Sequence, residues 1–316
     1  MSAQQVLFDI PGPKARARHL LYGVLGTLVL LGLLVLVLIR MANRGQFEAA
    51  KWTPFLESNT WTFYLLPGLL ATLQAAAVAV VLSMVFGIAL AMLRMSDIAP
   101  VRWASGVFVE FFRAVPVLIM MIFTWQMLVK NPTMVGLMDS LGLTGANATF
   151  IAVVVGLVLY NASVICEIVR NGVGSLPGGQ REAGLSIGLS SAQVRRAILV
   201  PQALTSMLPA LISQIVVITK DSALGYIITY PELLSRTRQL GSANANTLAA
   251  YLVAAVIFIL INYAITKLAE WIEGRQRRTR RGTPGGGAPT EDEEQAGQRA
   301  AGAALGAQAR AGGTQR

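Results

Sequence analysis

Long apolar runs alternate with short polar intervals along most of the chain. A helix needs roughly 20 mostly apolar residues to cross a bilayer's hydrocarbon. Six runs are of that order: Leu20 to Ile39, Leu65 to Leu93, Val107 to Val129, Ala148 to Val169, Ala197 to Thr219 and Leu248 to Thr266. The pattern predicts an all-α polytopic helix bundle with both termini on one side of the membrane. The first run, "LVLLGLLVLVLI", is followed by Arg40 and not by a small-residue cleavage site, so residues 20–40 read as a retained helix behind a polar segment, 1–19. After Trp271 large apolar residues almost vanish, and 274–316 is rich in Gly, Ala, Arg and Gln. Such a tail buries too little surface to offset chain entropy and is expected to be disordered. Its basic opening suits anionic lipid headgroups.

Composition narrows the class. Of 316 residues 54% are hydrophobic and 13% charged, well below the charged quarter or so of a soluble domain. The formal charge of +10 would suit nucleic acid only on a soluble basic face with stacking aromatics. Here Lys and Arg lie between and beyond the apolar runs instead. With the N-terminus inside, sixteen of them fall in inner segments and seven in outer ones, so the positive-inside rule predicts cytoplasmic N- and C-termini. One cysteine, Cys166, and one histidine, His19, exclude an intrachain disulfide framework and a His/Cys metal cluster.

The interval "GGQREAGLSIGLSSAQVRRAILVPQ" carries four charges between two spans. Pro177 suits a helix start, and Gly188 followed by Leu189 fits a left-handed helix stop with its apolar contact. Ser190 with Gln193 three residues on makes a capping-box pattern. Pro201 predicts a kink near the membrane entry. Two jointed helices are therefore expected on the cytoplasmic side, able to transmit force into the bundle; a merely structural surface hairpin is the alternative.

The same interval resembles the EAA loop of permease subunits of ABC importers. Glu182 and Ala183 are followed by Gly188 at six residues from the glutamate, Ile198 at sixteen and Pro201 at nineteen, while Gly184 replaces the motif's third residue, alanine. "FFRAVPVLIMM", "YNASVICEIVRNGVGSLPGGQREAG" and "QIVVITKDSALGYI" are similar to segments of polar amino-acid permeases, most like glutamate-uptake permeases of actinobacteria. The resemblance covers 61–273. It implies a type I importer fold of five core helices plus the N-terminal one. It also implies a coupling loop, at about 177–201, whose helix seats Glu182, Ala183, Gly184 and Gly188 in a groove of an ATP-binding subunit, with Ile198 and Pro201 as further residues of the coupling motif. The implied partners are a dimer of that ATPase, a second permease forming a heterodimer, an extracytoplasmic solute-binding protein and membrane lipids. No cofactor is expected on this chain; ATP and Mg belong to the partner, consistent with the absence of Gly-x-x-x-x-Gly-Lys-Ser/Thr here.

Ionisable groups in spans are expensive and default to functional hypotheses. Glu110 and Arg113, three apart, are expected to pair, as are Glu167 and Arg170. Glu167 with Tyr160, Asn161 and Ser163 gives one span a polar face. Lys220 and Asp221 end the fifth run on the outer side, next to Ser222, and Lys220 would attract an acidic substrate. Arg113, Asn161, Glu167, Lys220, Asp221 and Ser222 are the candidate pathway residues. Thr72, Gln74, Ser213 and Gln214 suit interhelical hydrogen bonds, and "DSALGYIITYPELLSRTRQLGSANAN" is expected as an outer loop with short helical potential.

The expected function is therefore the permease subunit of an ATP-driven importer of glutamate or another polar amino acid, with no enzymatic site of its own. A secondary transporter would need similar halves and a membrane-embedded enzyme a clustered acid, base or metal site; neither pattern is visible in the sequence.

Overall fold

The computed structural model describes residues 12–143 and 145–281. The helices used below are α1 (Pro13–Asn43), α2 (Leu66–Arg94), α3 (Ala99–Ala114), α4 (Val117–Lys130), α5 (Pro132–Ser140), α6 (Ala146–Gly174), α7 (Gly179–Ser186), α8 (Val200–Ser206), α9 (Leu208–Asp221), α10 (Leu233–Ala243) and α11 (Thr247–Arg281). The first and third of the six expected spans show the two extremes of how a long apolar run can behave. Helix α1 is continuous for 31 residues, and none of its apolar window is buried in the chain's own bundle. The run from Val107 to Val129 is instead broken between α3 and α4, which meet at 99°.

The physical reason for that break is Pro116. Val115 and Pro116 are both extended (ψ 128° and 135°), because a proline ring disfavours helical backbone at the residue before it. The pieces, about 24 and 21 Å long at 1.5 Å per residue, are each shorter than the roughly 30 Å of hydrocarbon that a crossing requires. Helix α3 buries Ser105 and Val109 and exposes Trp103, Val107, Phe108 and Phe111.

Two other prolines reshape helices less drastically. A wide π-type turn occupies Trp61–Leu65 just before Pro67, and another occupies Arg195–Leu199 just before Pro201. A proline cannot donate to the carbonyl four residues back and its ring crowds that carbonyl, so the turn ahead of it widens. The kink expected at Pro201 thus takes the form of a widened turn.

A sharper interruption follows at Met207 (φ −95°, ψ 8°), two residues before Pro209. The fifth span accordingly runs over Leu208–Ile228, a correction of about ten residues to the run from Ala197 to Thr219. The last helix also exceeds its expectation. Helix α11 continues to Arg281, so 274–281 is helical, as its Arg and Gln residues permit. The rest of the tail, like residues 1–11 of the N-terminal segment, lies outside the described residues.

Helix α6 is the axis of the bundle: 67% of its apolar window is buried. It packs most extensively on α2 and then on α4. Glycines set both approaches. A Cβ on Gly87 of α2 would stand 2.7 Å from Ile165 Cγ2 and 2.9 Å from the Ala162 carbonyl oxygen. One on Gly156 of α6 would stand 2.9 Å from the Met121 backbone nitrogen. Small residues let helix backbones come close in a membrane, where van der Waals packing and not hydrophobic expulsion drives association. Ala75, Ala79, Met121, Leu157 and Val158 complete the core between these helices.

Replacing Gly87 by valine should therefore lower stability by about 1–3 kcal/mol, the usual cost of overpacking. Gly106→Val, where nothing lies within 4 Å, should cost far less. Thermal melting of the two variants in one detergent checks the contrast.

Candidate functional site

The interval with the EAA-like motif folds into two helices joined by a tight turn. Helix α7 ends at Ser186, and Gly188 takes the left-handed conformation at φ +85°. The Leu189 amide donates to the Gly184 carbonyl at 3.2 Å and the Gly188 amide to that of Leu185 at 3.0 Å. These bonds satisfy carbonyls that a helix end leaves free. Ser190 opens the next helix with a complete capping box, exchanging bonds with Gln193.

The joint is packed as well as capped. Gly184 is buried, and a Cβ there would stand 2.8 Å from Val194 Cγ2 and 3.1 Å from Ile198 Cδ1. The glycine in the motif's alanine position thus lets Val194 and Ile198 close against α7. Arg195 reaches back to the turn between α2 and α3, its Nη1 3.0 Å from both oxygens of Asp97. Gln202 Nε2 donates to Gln180 Oε1 at 3.3 Å. The outward face is left open: Glu182 and Ala183 are exposed, as are Leu185 and Ile187. Sequence reasoning missed these last two, although apolar residues on a short charged helix were the available signal.

A cluster of ion pairs gathers where α2, α3 and α6 approach that loop. Glu167 lies 3.2 Å from Arg94 Nε, 2.8 Å from Arg170 Nη2 and 3.9 Å from Arg113 Nη1. Arg94 Nη2 also meets Glu110 at 2.7 Å. The pair expected between Glu110 and Arg113 is thereby corrected. The break at Pro116 ends α3 beside the bundle, and each of the two residues finds a partner on another helix. The Glu167–Arg170 pair forms as expected. Arg94 was absent from the sequence-based set because a cation ending a span reads as an interface anchor.

The other pathway candidates stand apart. Asn161 is buried, accepts a hydrogen bond from Gln214 Nε2 across the α6–α9 contact and donates to Leu157 O at 2.7 Å. Glu167 is six residues from Asn161 and Lys220 six from Gln214, in opposite directions from that pair, so roughly 18 Å separates them at 1.5 Å per residue. Lys220 is exposed, whereas Ser222 is buried and donates to Thr219 O at 2.7 Å. Lys220 and Asp221 do not end their span. The backbone continues through a 3₁₀ turn, Ser222–Ile228, within the same apolar stretch. The six candidates therefore occupy three places along the bundle.

The segment expected as an outer loop is folded inward. Thr229 turns the chain at φ +65°, and the Tyr230 hydroxyl donates to Ala71 O at 2.8 Å. Thr72 Oγ1 accepts from the Leu233 amide at 3.0 Å, the interhelical bond expected of it; Gln74 faces outward. Helix α10 approaches α2 at Gly68, where a Cβ would stand 2.9 Å from Leu233 Cα. Glu232 caps α10, its two carboxyl oxygens accepting from the Leu234 and Ser235 amides at 2.7 and 2.6 Å. It is fully buried. Burial pushes its carboxyl up to about 7, against the opposing pull of the two amides.

Comparison with known proteins places this arrangement. Residues 83–278 match the model of the family described as binding-protein-dependent transport system inner membrane component. The glutamate transport system permease protein GluD of Corynebacterium glutamicum is 48% identical over 240 residues, covering 76% of this chain and 85% of that protein. The glutamate/aspartate import permease protein GltK of Escherichia coli is 30% identical over 213 residues, covering 67% and 93%. Among solved structures, an amino acid ABC transporter crystallised with histidines matches 70% of this chain and 98% of its own, with a TM-score of 0.58 and 28% identity.

The raised carboxyl of Glu232 has a signed consequence. Between its ordinary value of 4.5 and about 7 the folded chain holds a proton that the unfolded chain gives up. Its stabilising share is thus complete below 4.5 and lost as pH rises through about 7. The melting temperature of the detergent-solubilised protein should fall across that window, and Glu232→Gln should flatten the fall.

Proposed function

The chain belongs to the family of binding-protein-dependent transport system inner membrane components and is a multi-pass permease subunit of an amino-acid ABC importer, and from that premise we propose that it carries glutamate into the cell. The support for glutamate is the 48% identity to a glutamate permease over three-quarters of the chain. In this reading α7 is the coupling helix and faces the cytoplasm, as do both termini, in keeping with the distribution of Lys and Arg.

The observation that carries the coupling role is the contrast within one loop. Behind α7, Gly184 is packed on Val194 and Ile198, and Arg195 is tied to Asp97. In front, Glu182, Ala183, Leu185 and Ile187 are open to a partner. A body that pushes on α7 therefore moves the start of the next span with it. The partner is an ATP-binding subunit that supplies ATP and Mg chemistry. Because ATP binds the two arrangements of such a pair unequally, it can drive the exchange between inward and outward access. One chain offers one coupling helix, so two permeases assemble, and we assign the second to a sister chain. A solute-binding protein delivers glutamate at the opposite end.

Of the pathway candidates, Lys220 is the exposed cation available to a substrate carboxylate on the side remote from α7. Asp221 and Ser222 follow it. Arg113 and Glu167 form, with Arg94, Glu110 and Arg170, a cluster of ion pairs suited to closing the inner end. Asn161 acts through its bond to Gln214, holding α6 to α9.

Glu182→Arg should leave the fold intact, since the side chain is exposed, and should reduce ATPase subunit retained on co-purification by more than about tenfold. Undiminished retention would remove the coupling assignment. In the reconstituted complex with its binding protein, glutamate should stimulate ATP hydrolysis and arginine should not; the reverse preference would refute the substrate.

A further inference from the structure

Helix α1 stands outside the bundle, and what joins it there is the segment that follows its C-terminal end. Trp52 Nε1 donates to Gln46 O at 3.0 Å, Lys51 Nζ to Ala245 O at 3.0 Å, and Asn246 Nδ2 to Lys51 O at 2.8 Å. Trp52 itself packs on the cluster of Phe55, Leu65 and Leu233. These ties hold the last turns of α1 beside the first turn of α11 without closing the space between them. A concavity of about 650 Å³ remains.

Its walls have two chemistries. Leu36, Val37 and Met41 from α1 and Leu248 from α11 give an apolar floor. Arg40, in the last turn of α1, and Arg44, the residue that caps its C-terminal end, stand at the mouth where both apolar runs end. Among the described residues neither arginine has a carboxylate within ion-pair distance. The nearest acid in sequence, Glu48, lies over Gly45. Thr247 and Leu248, which begin a 35-residue helix, also line the space, so free amides and the positive end of the helix dipole add to the field. The larger concavity at Arg94, Arg102 and Arg170 lacks this unbalanced charge, because Arg94 and Arg170 already face Glu110 and Glu167.

We propose that the groove between the end of α1 and the start of α11 binds an anionic phospholipid, its phosphodiester on Arg40 and Arg44 and an acyl chain along Leu36, Val37 and Leu248. Two unpaired guanidiniums above an apolar slot match an amphiphile with a negative head, and basic clusters at a membrane surface attract such headgroups. The planar fork of arginine suits phosphate oxygens in particular. Helix α1 is bare of protein contact along its apolar length, so the slot opens sideways into lipid. A soluble phosphate would use the mouth alone and leave the slot unfilled. The bound lipid fills the gap between α1 and the bundle and so makes the attachment of α1 depend on membrane charge.

Native mass spectrometry of the full chain in mild detergent tests this with phosphatidylglycerol and phosphatidylcholine of equal acyl length. The wild type should retain phosphatidylglycerol about tenfold better, the scale that two arginines near an anionic surface supply. The double variant Arg40→Gln, Arg44→Gln should lose that preference. Val37→Trp, which fills the slot and keeps both charges, should lose the bound lipid as well. Inorganic phosphate in millimolar excess should not displace it. Equal retention of the two lipids by the wild type overturns the proposal, as does a preference unchanged in both variants. Full displacement by inorganic phosphate would make the mouth a soluble-anion site and overturn the lipid. In the assembled complex, efficient crosslinking from Leu36→Cys to the second permease would show protein in the slot and overturn it too.

Discussion

The close contact of α2 with α6 at Gly87 sets the geometry from which the functional features follow. With the Ala162 carbonyl and the Ile165 side chain directly over Gly87, the two helices lie near enough for Arg94, at the end of one, to reach Glu167 on the other. One turn before Ile165 on α6, Asn161 meets Gln214 of α9. A larger residue at position 87 would push α6 away from α2 and draw Glu167 out of reach of Arg94. Small side chains thus determine where charges can be tolerated, because a charge inside a membrane protein persists only where a partner is held at contact distance.

Breaks in the helices distribute the remaining tasks. Pro116 splits the third apolar run and turns α3 away from α4, delivering Glu110 and Arg113 to α2 and α6. Pro201 widens the turn behind the α7 joint, and Pro209 follows the interruption at Met207 that starts α9. Backbone that leaves the helical ladder within the packed bundle has to find other hydrogen-bond partners. At Thr229 to Leu233 this is done by Thr72, by Tyr230 bonding to Ala71 and by the Glu232 cap.

Much of this was legible in the sequence. The apolar runs specify an all-helical membrane protein, and local chemistry specifies the two jointed helices after α6: Gly188 as the helix stop and Ser190 with Gln193 as the next start both appear in the structure. These features are readable because they depend on neighbours within a few residues. The fifth span was misplaced, and the sharp bend within the third run went unmeasured, because hydropathy does not register the loss of an amide at proline. Glu110 and Arg113 were wrongly paired because helical spacing favours the neighbour three residues away, whereas tertiary approach supplied Arg94 and Glu167. The inward fold of α10 was invisible for the same reason: a segment with few apolar residues can be buried once Thr72 and a helix cap satisfy its polar atoms.

The placement of α10 also fixes an order of biogenesis. Its first turn rests on Gly68 and Thr72 of α2, made early, and its last turn closes on Thr247 at the start of α11, made late. The complete set of these contacts therefore forms only after the final helix has been made, and a chain truncated before α11 lacks the packing that holds the last turn of α10.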